Sequence, residues 1–454
     1  MWDIEEFESA ARVAVEELSR YVADSQSGTA RVLNRTPPRE LAERLHLPEL
    51  IEKGGLTPEA FRGFLRAFLD EGTRLHHPAY LAHQVASPDF PAALADFVHG
   101  ATNNPMAVYE MGASAATVEF EVLRWMLDKV GFPDGGGVLT HGGSLANLTA
   151  LLAARARAVP SAWEEGVPGD LAILAPSSAH YSVSRAASIL GMGQRAVIPL
   201  PTDSLGRIDV ARLPSSFDRR PIALVAGACA TGTGLHDDLR AVGQWCRERG
   251  IWFHVDAAHG ASALLSERHA HLLDGISSLA DSVIWDAHKM LRTSGLSAAV
   301  LVRREGDLDA AFQQQASYLF YGDQGFDLIS RTVECTKAAL GLKVFLNLAW
   351  RGERGLGDYV ARQYDTAHRF WELARERPGF VLPYEPESNI VCFRYGDGDQ
   401  TVIRERLMAD GAFHLTSTEL DGVRHLRVTV MAPATDERHL EALLDTVAGG
   451  RSTT

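Results

Sequence analysis

Cysteine is scarce and scattered: Cys229, Cys246, Cys335 and Cys392 are four residues in 454, with no C-x-x-C pair. That spacing excludes a zinc knuckle and a disulfide scaffold, and it leaves reduced, mostly buried thiols. Cations are in deficit as well, 44 Lys and Arg against 58 Asp and Glu, for a net charge of −14. Neither nucleic acid nor an anionic membrane is therefore an expected partner, because both need clustered positive side chains. No uninterrupted apolar run is long enough to span a bilayer, and the acidic start Met1-Trp2-Asp3-Ile4-Glu5-Glu6 has the wrong sign for a signal or transit peptide. The expected location is cytoplasmic. A Walker A lysine and a G-x-G-x-x-G fingerprint are also missing, which demotes nucleotide binding. What remains, 46% hydrophobic and 22% charged, is the balance of a globular protein.

Hydrophobic periodicity divides the chain into three parts. Residues 1–75 read as amphipathic helices, broken at Pro37-Pro38 and Gly54-Gly55, with one apolar face and little core of their own. They are expected to pack on the main body or on a second subunit. From 76 to 340, short β-rich runs such as Leu171-Ala172-Ile173-Leu174, Ile222-Ala223-Leu224-Val225, Ile251-Trp252-Phe253-His254-Val255 and Ser282-Val283-Ile284-Trp285 alternate with helices. Runs this apolar and this short are strands buried on both faces of a largely parallel sheet, so this is an α/β domain with its site at the strands' carboxyl ends. Residues 341–454 read as a smaller α+β unit, with strands around Asn389–Arg394 and His425–Val430.

Chemistry concentrates where those strands end. Asp281-Ser282-Val283-Ile284-Trp285-Asp286-Ala287-His288-Lys289 is a strand running into a loop that presents a lysine. A lysine condenses with a carbonyl only when partly deprotonated, which desolvation or a nearby cation can arrange. His254-Val255-Asp256-Ala257-Ala258-His259 delivers a carboxylate from another buried strand, and that charge needs a partner. A pyridinium nitrogen is one partner, a helix N-terminus another. A metal held by His254, Asp256 and His259 is disfavoured, since no fourth ligand is at hand, and no metal is expected. Gly135 to Asn147 passes from strand to helix through Gly142-Gly143-Ser144, the composition of a phosphate cradle or of an ordinary turn. His180 follows a third strand, placed to stack on a ring or to cap a helix.

Taken in order, the phosphate loop, His180, Asp256 and His288-Lys289 resemble the group II decarboxylases of amino acids that depend on pyridoxal 5′-phosphate (PLP). That family includes aromatic-amino-acid, glutamate, cysteine-sulfinate and diaminobutyrate decarboxylases. The likeness spans roughly residues 76–440, from His77-Pro78-Ala79-Tyr80 to His425-Leu426-Arg427-Val428. A diaminobutyrate-type comparison rests on Trp285 to Leu291 and Arg331 to Lys337. The resemblance implies the PLP-dependent transferase fold, aspartate aminotransferase-like and of fold type I. It also implies a homodimer with a shared active site.

Carried over residue by residue, it implies that Lys289 forms the Schiff base, Asp256 meets the pyridine nitrogen, and His180 and Ala258 flank the ring. Gly143, Ser144 and the Leu145 amide would hold the phosphate, helped by Ser282 and His288, while Thr231 would bond near the ring oxygen or carboxylate. Tyr321, in a short segment after the lysine, best matches the tyrosine thought to protonate the carbanion, or else packs at the domain junction. His83, Tyr109 and Glu110 would line the substrate side-chain pocket. Glu110 is equally a solvated charge or a partner for a diamino acid, and Arg427 a carboxylate ligand or a structural ion pair. The implied reaction converts an L-amino acid to its amine and CO₂, through the Schiff base on Lys289 and a quinonoid intermediate. Oxidative deamination coupled to decarboxylation, transamination or carbon–carbon lysis on the same scaffold are alternatives, as is a non-catalytic binding or regulatory role.

Overall fold

Each strand of the central sheet sends alternate side chains into two apolar layers, and this two-sided demand sets the architecture. The structure is a computed structural model describing residues 2–312 and 326–449. In chain order the strands are β1 (Tyr80–Leu81), β2 (Gly136–Thr140), β3 (Leu171–Pro176), β4 (Val197–Leu200), β5 (Arg220–Gly227), β6 (Trp252–Asp256), β7 (Ser282–Asp286), β8 (Ala298–Val302), β9 (Phe380–Val381), β10 (Ile390–Tyr395), β11 (His414–Leu420) and β12 (Val423–Thr429). The longer helices are α1 (Ile4–Gln26), α2 (Pro58–Glu71), α3 (Phe90–Thr102), α4 (Ala113–Val130), α5 (Gly143–Ala158), α6 (Ser182–Ile189), α7 (Leu239–Arg249), α8 (Leu340–Arg375), α9 (Gln400–Ala409) and α10 (Glu437–Val447).

The large sheet has the order β2-β8-β7-β6-β5-β3-β4. Strands β7, β6, β5, β3 and β4 run parallel, and β8 is antiparallel to both its neighbours. Leu224, Phe253, Val255, Val283 and Trp285 face α4, α7 and α8, whereas Val225, Trp252 and Ile284 face α5 and α6. Both faces are covered, as the unbroken apolar runs require. The same alternation sends His254 and Asp256 to the side of Trp252, and so toward α5.

The smaller sheet has the order β1-β11-β12-β10-β9 and packs against α8 and α10 through Phe370, Phe393, Leu426, Leu440 and Leu444. One boundary differs from expectation. Tyr80 and Leu81 pair in parallel with His414 and Leu415, so the chain just after residue 76 joins the C-terminal sheet before entering the large one. Two residues with no alternation to read gave no signal of this in the sequence. Helix α8 is interrupted at Gly352, whose φ of 67° only glycine adopts readily.

The N-terminal helices begin and break where Pro38 and Gly54 predict. Glu17 on α1 is almost wholly covered and is clasped by Arg20, Arg62 and Arg66, with Arg66 Nη2 at 2.7 Å, which fastens α1 to α2. No helix among the described residues is long and apolar enough to cross a membrane.

A buried ion pair braces β2, the strand that leads to the glycine loop. Lys337 and Glu119, both with 0% side-chain exposure, pair directly, Lys337 Nζ donates to the Leu139 carbonyl at 2.6 Å, and the Leu139 N–H donates to Glu119 Oε1 at 3.0 Å. Removing one partner strands a charge in the core. Lys337→Met should therefore destabilise the protein by about 3–5 kcal/mol, whereas Lys337→Met combined with Glu119→Leu should recover most of that loss. Urea midpoints of the two variants measure the difference, and equal losses would refute the pairing.

Candidate active site

A cavity of about 360 Å³ opens at the carboxyl ends of the parallel strands, where an open α/β sheet holds its ligands. Its wall takes Gly143, Ser144 and Asn147 from the start of α5, His180 from the loop after β3, Thr231 from the loop after β5, Asp256 and Ala258 from β6 and the turn after it, and Asp286, His288 and Lys289 from the end of β7 and the turn after it. Residues more than a hundred positions apart are thus brought together by strand order alone.

At the end of β6, Asp256 Oδ2 accepts from Asn147 Nδ2 at 2.9 Å and Oδ1 from the Ala258 N–H at 3.3 Å. The remaining acceptor capacity of Asp256 is open to the cavity. His180 Nδ1 lies 2.8 Å from Ser182 Oγ, and burial lowers its pKa against the pull of Asp256, so the ring is neutral at pH 7. His259, weighed above as a metal ligand, turns its Nε2 to Asn389 Oδ1 at 2.7 Å. Burial pushes its pKa down to about 3.

The turn after β7 folds Lys289 back over its own strand, with Nζ 3.1 Å from Asp286 Oδ2. The expectation that desolvation or a cation activates this amine is corrected here. Burial does lower the Lys289 pKa, but Asp286 and Asp256 outweigh it, and the net shift is upward. Asp286 was given no role from the sequence, because it reads as an ordinary strand end. His288 is pinned through Nδ1 to the Ser297 carbonyl at 2.9 Å, which turns Nε2 toward Asp286 at 3.6 Å.

Opposite Asp286 stands the N-terminus of α5. Gly142 has φ of 103°, a backbone that favours glycine, and a Cβ on Gly143 would come within 2.7 Å of Asp286 Oδ2. The loop therefore needs both glycines. Helix geometry leaves the N–H groups of Gly143 and Ser144 without intrahelical acceptors, and the Ser144 hydroxyl stands beside them on the cavity wall.

Several expectations do not fit this geometry. Ser282, placed by resemblance at the phosphate, begins β7 at the far end from the cavity and bonds His254 Nδ1 at 2.7 Å and Trp252 Nε1 at 2.8 Å. The Leu145 N–H is spent on the Gly142 carbonyl at 3.1 Å and lies off the cavity wall. His83, Tyr109, Glu110 and Arg427 do not line it either. Arg427 is buried and donates to the Ala82 carbonyl, Thr416 Oγ1 and Gln84 Oε1, so it reaches the cavity only through Gln84, which does line it. His83 rests edge-on against His414 nearby. Tyr109 and Glu110 lie in a short helical turn elsewhere, with the Tyr109 N–H on Asp327. Tyr321 lies outside the described residues. Sequence reading missed Gln84, Asn147 and Asp286, and only the spacing of Asn147 after the glycines hinted at it.

The donor set fits a phosphorylated cationic ring carried on an amine. Free N–H groups at a helix start suit a phosphate, an open carboxylate suits a protonated ring nitrogen, and Lys289 lies between them. Comparison with known proteins agrees. The pyridoxal-dependent decarboxylase conserved domain matches residues 61–396. The acidic amino acid decarboxylase GADL1 of Bos taurus is 30% identical over 480 residues, covering 97% of this chain and 89% of that protein. L-2,4-diaminobutyrate decarboxylase of Rhizobium meliloti is 30% identical over 401 residues, covering 84% and 79%. The crystal structure of mouse CSAD in its apo form superposes with a TM-score of 0.89 at 26% identity, covering 98% of this chain and 97% of that one. Fold, cavity chemistry and sequence thus converge, and the chain belongs to the pyridoxal-dependent decarboxylase family, with pyridoxal 5′-phosphate as its cofactor.

Proposed function

We propose that this protein decarboxylates an L-amino acid with PLP held on Lys289. The observation that carries the reading is the convergence of Lys289, Asp256, His180 and the start of α5 on one cavity. When bound, PLP supplies an electron sink for the pair left on Cα as CO₂ departs. The chain's own residues do the rest. The Asp256 carboxylate would accept the ring N–H and keep that proton in place. Gly143, Ser144 and His288 would hold the phosphate, His180 and Ala258 would flank the ring, and Thr231 would bond near its oxygen. Lys289, whose Nζ lies 3.1 Å from Asp286 Oδ2, is the amine that would carry the cofactor. Gln84, whose Oε1 accepts from Arg427 Nη2 at 3.2 Å and whose Nε2 has no partner among the described residues, would offer an amide N–H polarised by that guanidinium to a substrate carboxylate.

We also read the protein as a cytoplasmic homodimer. Helix α3 leaves Phe90, Leu94, Phe97 and Val98 exposed, with Phe345 and Trp350 of α8 beside them, an apolar patch suited to a second copy. Tyr109 and Glu110, which miss this chain's own cavity, would then serve the partner's. Four unpaired cysteines suit a reducing compartment.

Three outcomes follow. Lys289→Ala should abolish amine formation and the visible Schiff-base absorbance, and product analysis with acidic, diamino and aromatic amino acids should score CO₂ and amine in equal amounts. Peroxide or aldehyde in their place would overturn simple decarboxylation. Because carboxylates raise the Lys289 pKa, reconstitution of apoprotein with PLP should quicken as pH rises from 7 toward 10, and Asp286→Asn should quicken it at pH 7. A pH-independent rate in both would contradict that coupling. Sedimentation should give a dimer that Phe97→Asp dissociates with loss of activity, and a fully active wild-type monomer would refute the assembly.

A further inference from the structure

Asn147 lies on the face of α5 that packs on the sheet, almost fully buried, and touches Asp256 without being part of the glycine loop. Its hydrogen bonds can be assigned a direction from chemistry alone. An ionised Asp256 only accepts, so the atom 2.9 Å from Oδ2 is the amide nitrogen of Asn147, and its second hydrogen goes to Ser182 Oγ at 2.9 Å. Asn147 Oδ1 must then face His254 Nε2 at 2.8 Å, which obliges that nitrogen to carry the imidazole proton. His254 Nδ1 is left bare and accepts the Ser282 hydroxyl at 2.7 Å, while Ser282 Oγ accepts from Trp252 Nε1 at 2.8 Å, a nitrogen that can only donate. On the second branch the Ser182 N–H donates to His180 Nδ1 at 3.3 Å, so that nitrogen also accepts the Ser182 hydroxyl at 2.8 Å. The His180 proton is thereby placed on Nε2. A flipped Asn147 amide would set its oxygen against the Asp256 carboxylate oxygen, which has no hydrogen to give, so the unflipped amide is the one that satisfies the network.

We infer that Asn147 is the positioning residue of this site: one amide fixes the Asp256 carboxylate at the cavity and, at the end of a one-directional chain from Trp252, holds the His254 proton on Nε2, while the Ser182 N–H fixes the His180 tautomer. Burial supports this by driving His254 down to about 4 and lowering His180, so both rings stay neutral near pH 7. The charged or titratable groups around Asp256 are His254 on its own strand, His180 after β3, and Asp286 with Lys289 at the end of β7. The neutral amide of α5 is the one that can be given charge without changing shape.

The consequence for the cofactor rests on the reading of Asp256 as partner of the ring nitrogen, but the hydrogen-bond chain does not. Long-range nitrogen NMR of the apoprotein at pH 7 should find His254 protonated on Nε2 only, and Nδ1–H or a charged ring would overturn the chain. Asn147→Asp keeps the shape and sets two carboxylates together, which must share a proton. PLP affinity, measured by fluorescence quenching, should fall about ten- to a hundredfold at pH 7 and recover as pH rises and that proton leaves. Wild type shares any gain that comes from deprotonation of Lys289, so the recovery is read as the ratio of variant to wild-type affinity at each pH. An affinity within twofold of wild type with an unchanged pH profile would overturn the inference. Should that variant not fold, Asn147→Ala removes the amide without adding charge, and a loss of about tenfold is expected. A change under twofold would again overturn it. Asp256→Ala is the separate control: unchanged PLP affinity there would refute the role of Asp256 while leaving the apoprotein tautomers to test the chain.

Discussion

One carboxylate at the end of a buried strand constrains much of this molecule. Asp256 is carried to the cavity by a strand that is otherwise wholly apolar or hydrogen-bonded, and a charge delivered that way must be met on every side. Asn147 and the Ala258 N–H meet it from within, and Lys289 lies close enough to feel it across the cavity. The open side is left for a cation. In the proposed reading that cation is the protonated ring nitrogen of PLP, whose charge makes the ring a strong electron sink, so the requirement of the fold and that of the chemistry would coincide at this atom.

Strand alternation explains why the partners come from where they do. His254 and Asp256 share a face because they are two apart, and that face looks onto α5. The helix that must cover β6 is therefore the same helix whose N-terminus offers free N–H groups and whose second turn carries Asn147. A single packing decision serves the phosphate end and the carboxylate end together. The glycines at 142 and 143 allow it, because a side chain at 143 would collide with Asp286.

Much of this was legible in the residues themselves. The four apolar runs quoted above, with residues 137–140 and 195–200, marked six of the seven strands in the large sheet, and Lys289, Asp256, His180, Ser144, Thr231 and His288 were all brought to the cavity. Strand β8 escaped because Ala298-Ala299-Val300-Leu301-Val302 lies close behind the lysine loop and breaks the alternation of strand with helix. Ser282 was misplaced because it was carried over from the resemblance, whereas it begins β7, and a strand carries its two ends about 3.3 Å further apart with every residue. Asn147 and Gln84 were invisible as site residues because an amide in a helix or loop has no pattern of its own. Their meaning comes from the charged partners they face, Asp256 for Asn147 and Arg427 for Gln84, and each of these arrives from more than a hundred residues away.

Lys289 shows how the same network works against itself. The two carboxylates that hold the amine in the cavity also favour its charged form, which cannot attack an aldehyde. In the proposed reading, a phosphate at α5 and a ring cation at Asp256 would change that balance, since the ring cation would take up one of the two carboxylates that stabilise the ammonium. The phosphate would pull the other way, as an anion near Lys289, so the net release would depend on Asp256 being closed off by the ring. In that reading, cofactor binding and release of the amine would be one event, with Asp256 as the group that links them.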